Sequence, residues 1–159
     1  MKYRRLTKEQ LEELHREFIN FLATQSITAA EWEQIKSDSP AAAEEEIDIF
    51  SDLIWEGVLR KVEYLENISA DQMHLFRMTD KDMKLIAIRV HNPDVDLMTT
   101  GGFEWFKKHF MTDMVDIMTA TKTYSADRNK DKFELIEKGA VITKGKLYHW
   151  FEEMMMGDE

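Results

Sequence analysis

Apolar residues recur at intervals of three and four through the first third of the chain, then give way to short, nearly continuous runs. The longest helical pattern spans Pro40 to about Glu66. Ile47, Phe50, Ile54, Val58, Val62 and Leu65 fall on one face of it. Leu53 and Trp55 widen that stripe to roughly 200°, about twice what a helix lying on a surface requires. The pattern therefore predicts a central helix with neighbours on two sides, the N-terminal helices on one and a later hairpin and helix on the other. Alternatively, part of the arc near Leu53, Trp55 or Leu59 is left for a partner. Ser39 suits the N-cap, Pro40 the first helical position, and Glu44, Glu45 and Glu46 the positive end of the helix dipole. Asp48, Asp52, Glu56 and Glu63 are expected on the opposite, solvent-facing side.

Two shorter helices precede it. Thr7 and Gln10 form a capping-box pattern ahead of the stripe Leu11, Leu14, Phe18, Phe21 and Leu22, predicting a helix over 7–23. Thr28 and Glu31 repeat the pattern, with Trp32 and Ile35 inward. Residues 1–66 thus read as a three-helix unit with short connections. From there the period changes. Met73–Met78 and Met83–Val90, broken by the polar Thr79-Asp80-Lys81-Asp82, predict a β-hairpin, and Asn92-Pro93-Asp94 ends it. Phe103, Phe106, Phe110, Met114, Ile117 and Thr121 are spaced as one face of a helix following Gly101-Gly102. Ser125–Lys132 reads as a mobile polar loop, and 133–137 as either strand or helix. Residues 140–143 look extended, and 147–155 form a terminal helix. The expected fold is α+β, with helices first, a small antiparallel sheet near 73–90 and helices at the C-terminus, in a single domain over 1–159.

Composition narrows the class. The chain has 159 residues, enough for a core, and 43% apolar content with 2 prolines and 6 glycines argues against disorder. It has no cysteine, which excludes thiolate chemistry, disulfides and sulfur-ligated zinc and fits a reducing cytoplasm. No apolar run follows the basic start as a signal peptide would require, and none approaches the length of a membrane span. A net charge of −10 disfavours direct contact with nucleic acid. It leaves open a partner with a basic surface, or mimicry of nucleic acid by the acidic groups.

Candidate chemistry is sparse. On the helix expected after Gly102, His109, Asp113 and Asp116 share one flank, and imidazole with carboxylates would suit zinc or iron. A solvated flank whose histidine pairs with the acids accounts for the same spacing. The stripe Asp48, Asp52, Glu56 and Glu63 lacks the opposed carboxylates that two-acid hydrolysis needs. No nucleophile elbow, phosphate loop, dinucleotide fingerprint, zinc-protease or calcium-loop motif is present. No catalytic residue and no cofactor is therefore assigned. Eleven methionines are present, three of them at 154–156 behind Trp150 and Phe151. Flexible thioethers suit adaptable surfaces, which makes Trp150, Phe151, Met154 and Met155 candidates for contact with a protein partner. A docked, frayed terminal helix is the other account.

The stretches MKYRRLTKEQLEELHREFINFLATQSITAAEWEQIK, EIDIFSDLIWEGVL, MHLF and GAVITKGKLY resemble a family of small bacterial proteins carrying a domain of unknown function. The resemblance implies a free-standing cytosolic protein and carries no activity. The expectation is thus a non-enzymatic cytoplasmic protein acting through another protein, with no membrane and no direct nucleic-acid contact. A ligand- or metal-binding protein or enzyme, with its pocket between the helical unit and the sheet, is the first alternative, and an acidic nucleic-acid mimic the second.

Overall fold

The computed structural model describes residues 1–156 and forms two compact units, the first ending at Arg60 and the second beginning at Lys61. The first is helical: α1 (Lys8–Glu13), α2 (His15–Thr24), α3 (Ala29–Asp38) and the long α4 (Pro40–Lys61). Both expected capping boxes form. Thr7 and Thr28 each accept from the backbone of the third helical residue, and Gln10 and Glu31 reach back to the cap amides. The predicted 7–23 helix is interrupted at Leu14, which closes α1 and opens α2. Phe18 is the hub of this unit's core, edge-on to Trp32 at 5.1 Å and to Phe50 at 5.0 Å.

Two expectations for α4 are corrected. It stops at Lys61 rather than near Glu66, because Tyr64–Ile68 leaves the helix to become a strand, taking Leu65 into a sheet. Nor do Asp48, Asp52 and Glu56 face solvent freely. The extended segment before α1 lies along them. Asp52 accepts the backbone N–H of Lys2 and Tyr3 at 2.7 and 2.9 Å, Glu56 accepts from the Tyr3 hydroxyl and Lys2 Nζ, and Arg5 pairs with Asp48 and Glu44. Trp55 Nε1 donates to the Arg4 carbonyl, and the buried Ser51 hydroxyl accepts from Leu6 N. Four acids spaced by four residues thus hold MKYRRL in register. Trp55 and Leu59 are buried, whereas Leu53 is 55% exposed.

The second unit is built on an antiparallel five-stranded sheet, in which β1 (Tyr64–Ile68), β2 (Gln72–Met78), β3 (Asp82–Val90), β4 (Val115–Thr123) and β5 (Val141–Thr143) are ordered β4-β3-β2-β1-β5. Helices α5 (Thr100–His109), α6 (Arg128–Glu137) and α7 (Lys146–Met156) complete it, so the fold is α+β. The predicted hairpin is β2–β3, with Met78 opposite Met83 and the Thr79 hydroxyl tied to Asp82 across the turn. Alternation sorts the strands into two faces. Tyr64, Met73, Leu75, Ile86, Ile88, Val90 and Val115 pack with Phe106 of α5 and Tyr148 and Phe151 of α7. On the other face Leu65 and Met78 form a smaller core with Val62 and Ala140, against which Phe76, Met83 and α6 residues Leu135 and Ile136 pack.

Two later expectations change, and one left open is resolved. The helix expected through Thr121 ends at His109, where Thr112 folds back onto the His109 carbonyl, and 115–123 is a strand. The polar loop 125–132 contains the start of α6, capped by Asp127, and 133–137 continues that helix. Glycine is required at 145, where φ is +81° and a Cβ would lie 2.6 Å from the Tyr64 ring. It is required at 102 too, where a Cβ would sit 1.7 Å from the Asp96 carbonyl oxygen.

Candidate functional site

With the long helix after Gly102 gone, the flank that grouped His109, Asp113 and Asp116 no longer exists. His109 closes α5, its ring stacked 4.4 Å from Trp105 and its Nδ1 2.7 Å from the Trp105 carbonyl oxygen. Asp113 lies in the following turn, and Asp116 is on β4, 2.5 Å from His91 Nε2. Among the described residues no three histidines or acids are grouped to hold a metal ion. The C-terminal candidates divide. Phe151 is fully buried against Phe106, and Trp150 packs edge-on to Phe110 at 5.1 Å. Met154 and Met155 are exposed along α7. Trp150 also lines a shallow cleft of about 350 Å³ with Phe103, Lys107, Lys146 and Leu147.

Polar chemistry gathers at one other place. The Tyr64 hydroxyl is 3.0 Å from His149 Nε2, while Glu152 pairs with Arg77 at 3.3 Å. These groups tie α7 to β1 and β2, and they do not line the cleft at Trp150. Burial, and secondarily the nearby Arg128, lowers the Lys132 ammonium pKa; its Nζ donates to the Val62 carbonyl at 2.8 Å. Burial raises the Glu66 carboxyl, offset in part by a hydrogen bond from Thr143. Both read as partnered interior groups rather than reactive ones.

The longer of the two sheet edges is β4. It lies at one end of the sheet and, among the described residues, pairs with β3 alone, while the three-residue β5 ends the other side. The bond from His91 N to the Met114 carbonyl at 2.8 Å fixes the hydrogen-bonding phase, since residues 91 and 114 lie opposite in the continued register. Alternation then assigns the amides and carbonyls of Asp116, Met118, Ala120 and Lys122 to β3. Those of Val115, Ile117, Thr119, Thr121 and Thr123 point away from the sheet, along the free edge. From Met118 to Thr123 every residue is exposed. Beside this edge lies a groove of about 270 Å³ floored by Phe76, Met83, Leu85 and Ala120. Lys122, Asp131, Glu134 and Lys138 form its charged rim.

A family model matches residues 1–156. The chain belongs to a family of unknown function, DUF6495. No curated protein and no solved structure matches it. Among the described residues no helix is long and apolar enough to cross a membrane.

Spacing at three and four obscured this edge at the sequence level, because Met114, Ile117 and Thr121 also satisfy a helical template. The signal that identifies it is the run of β-branched residues at every second position, Val115, Ile117, Thr119, Thr121 and Thr123. In a helix those five would fall on two opposed sides, Val115, Thr119 and Thr123 on one and Ile117 and Thr121 on the other.

Proposed function

We propose that this member of DUF6495 is a non-catalytic, cytoplasmic binding protein that takes up an extended segment of polypeptide as an additional strand on β4. The observation that carries the proposal is the free edge itself. It runs for nine residues, contains no proline, consists of exposed residues from Met118 onward, and turns the backbone groups of Thr119, Thr121 and Thr123 outward with no strand beside them among the described residues. Long edges are normally blunted by bulges, proline, charged side chains or a covering element, because they template pairing with another chain, and β4 carries charge at Asp116 and Lys122 alone, near its two ends. Strand addition uses main-chain hydrogen bonds for affinity and neighbouring pockets for side-chain selection. The groove at Ala120 is placed to take an alternate side chain of the added strand.

A photo-crosslinking residue at Thr121, introduced into the full chain in its native cells, tests this. The expected result is a polypeptide adduct at Thr121 and none from the same residue placed at Glu9, an exposed position on α1. Equal labelling at both positions, or no polypeptide adduct at Thr121, would contradict it.

A further inference from the structure

We infer that the polypeptide taken up by β4 is the β4 strand of a second copy of this chain, paired antiparallel about Thr119. This rests on the reading of β4 as a strand-accepting edge and names its partner. Three features of the strand VDIMTATKT point to it.

The first is phase. Antiparallel pairing about Thr119 sets Val115 opposite Thr123, Ile117 opposite Thr121 and Thr119 opposite itself. All are residues whose backbone groups face outward, so each opposed pair can exchange both hydrogen bonds. The full overlap gives about ten such bonds, two for each of five pairs, in a closed two-fold interface.

The second is charge. In the same register Asp116 of each copy lies opposite Lys122 of the other, at the non-hydrogen-bonded positions where side chains approach most closely. Asp116 is well exposed, and its pairing with His91 engages Oδ2 and leaves Oδ1 open. Lys122 is exposed and has no ion pair among the described residues. Two −10 chains would otherwise repel. Shifting the pairing by one two-residue step moves Asp116 away from Lys122 and shortens the overlap, so the register about Thr119 is the one that combines both.

The third is apolar fit. Between the two charged positions Met118 lies opposite Ala120. Met118 is 59% exposed, and Ala120 floors the groove beside Phe76 and Leu85. The methionine of each copy therefore enters the mouth of the other's groove, which accounts for both a long exposed thioether and an open apolar cleft at the same edge. On the opposite face the cross-strand neighbours are threonines, isoleucine and valine, types that favour a pleated surface.

Sedimentation of the full chain over a wide concentration range tests the inference, alongside Asp116→Lys, Lys122→Asp, the double exchange and Thr119→Pro. A dimer is expected for the wild type. Each single charge reversal sets like charges opposite twice and weakens association about tenfold or more, and the double exchange restores it. Thr119→Pro removes an outward amide while sparing the bonds to β3, so it should abolish the dimer and leave circular dichroism unchanged. A wild type that is monomeric throughout, or a double exchange no better than the single reversals, would overturn the inference. The crosslink at Thr121 separates the two failures. An adduct to a different polypeptide retires self-pairing alone, whereas no polypeptide adduct retires the edge reading with it.

Discussion

Helix α4 and strand β4 each carry a ladder of polar groups along one side, and the chain treats them in opposite ways. On α4 the ladder is Glu44, Asp48, Asp52 and Glu56, and the segment Lys2–Leu6 covers it. Two backbone amides meet Asp52, and cationic or hydroxyl partners meet the other three acids. On β4 the ladder is the backbone of five alternate residues, with no covering segment among the described residues. Both sets of groups cost free energy if desolvated without partners, and both are satisfied by water when left open. The difference is that α4's partners belong to the same chain and form on folding, whereas β4's wait for another strand. Substitutions on the α4 ladder should therefore lower stability, and substitutions along the β4 edge should lower association instead.

The largest stability effect is expected from Asp52→Ala. It removes the acceptor for the Lys2 and Tyr3 amides, charge-assisted bonds of the kind that contribute roughly 1.5–3 kcal/mol, with partial exposure placing this site toward the lower end. Urea unfolding should report the loss with no change in oligomeric state. A fall in association at unchanged stability would break the contrast.

A smaller, pH-dependent effect is expected at Tyr3. Its phenol is pushed up to about 12, chiefly by burial and then by its hydrogen bond to Glu56. An unfolded tyrosine titrates near 10, so the folded state holds this proton more tightly than the unfolded chain does. The contribution is fully present below pH 10 and is lost as pH rises toward 12. Wild type and Tyr3→Phe should therefore converge in stability across that window. A gap that stays constant from pH 9 to pH 12 would show that the α4 ladder does not hold Tyr3 in this way.

The smallest stability effect is expected at the edge. In protein diluted below dimerisation, Lys122→Asp should change the unfolding free energy by no more than about 0.5 kcal/mol, as for other exposed substitutions, while weakening the dimer at higher concentration. A destabilisation as large as that of Asp52→Ala would mean that the edge is an internal part of the fold.

How legible these regions were follows from what each depends on. The α4 helix and both capping boxes could be read from local spacing, because helix periodicity and capping act within a few residues. The hairpin could be read because Thr79–Asp82 interrupts two apolar runs. The covering of α4 could not be read, since it joins residues some fifty positions apart, and acids at four-residue spacing look the same whether they meet water or Arg5. Strand β4 was hidden for another reason. Its Val115 and Ile117 alternate as a strand should, but four exposed residues follow Thr119 with no buried face to mark the period. An edge strand that buries almost nothing leaves almost no hydrophobic pattern. Its signature is the β-branched alternation, a propensity signal rather than a burial signal. The metal candidates failed with it: His109 and Asp116 share a flank only if 110–116 is helical.

Residue-resolved amide hydrogen exchange along β4, in dilute and in concentrated protein, tests the central claim most directly. In dilute solution the amides of Met118, Ala120 and Lys122, bonded to β3, should exchange slowly, and those of Ile117, Thr119 and Thr121 quickly. On concentration the second set should become protected while the first stays unchanged. Uniform protection of all six in dilute solution would show that the edge is already covered. Rapid exchange of the second set at every concentration would show that no second strand arrives.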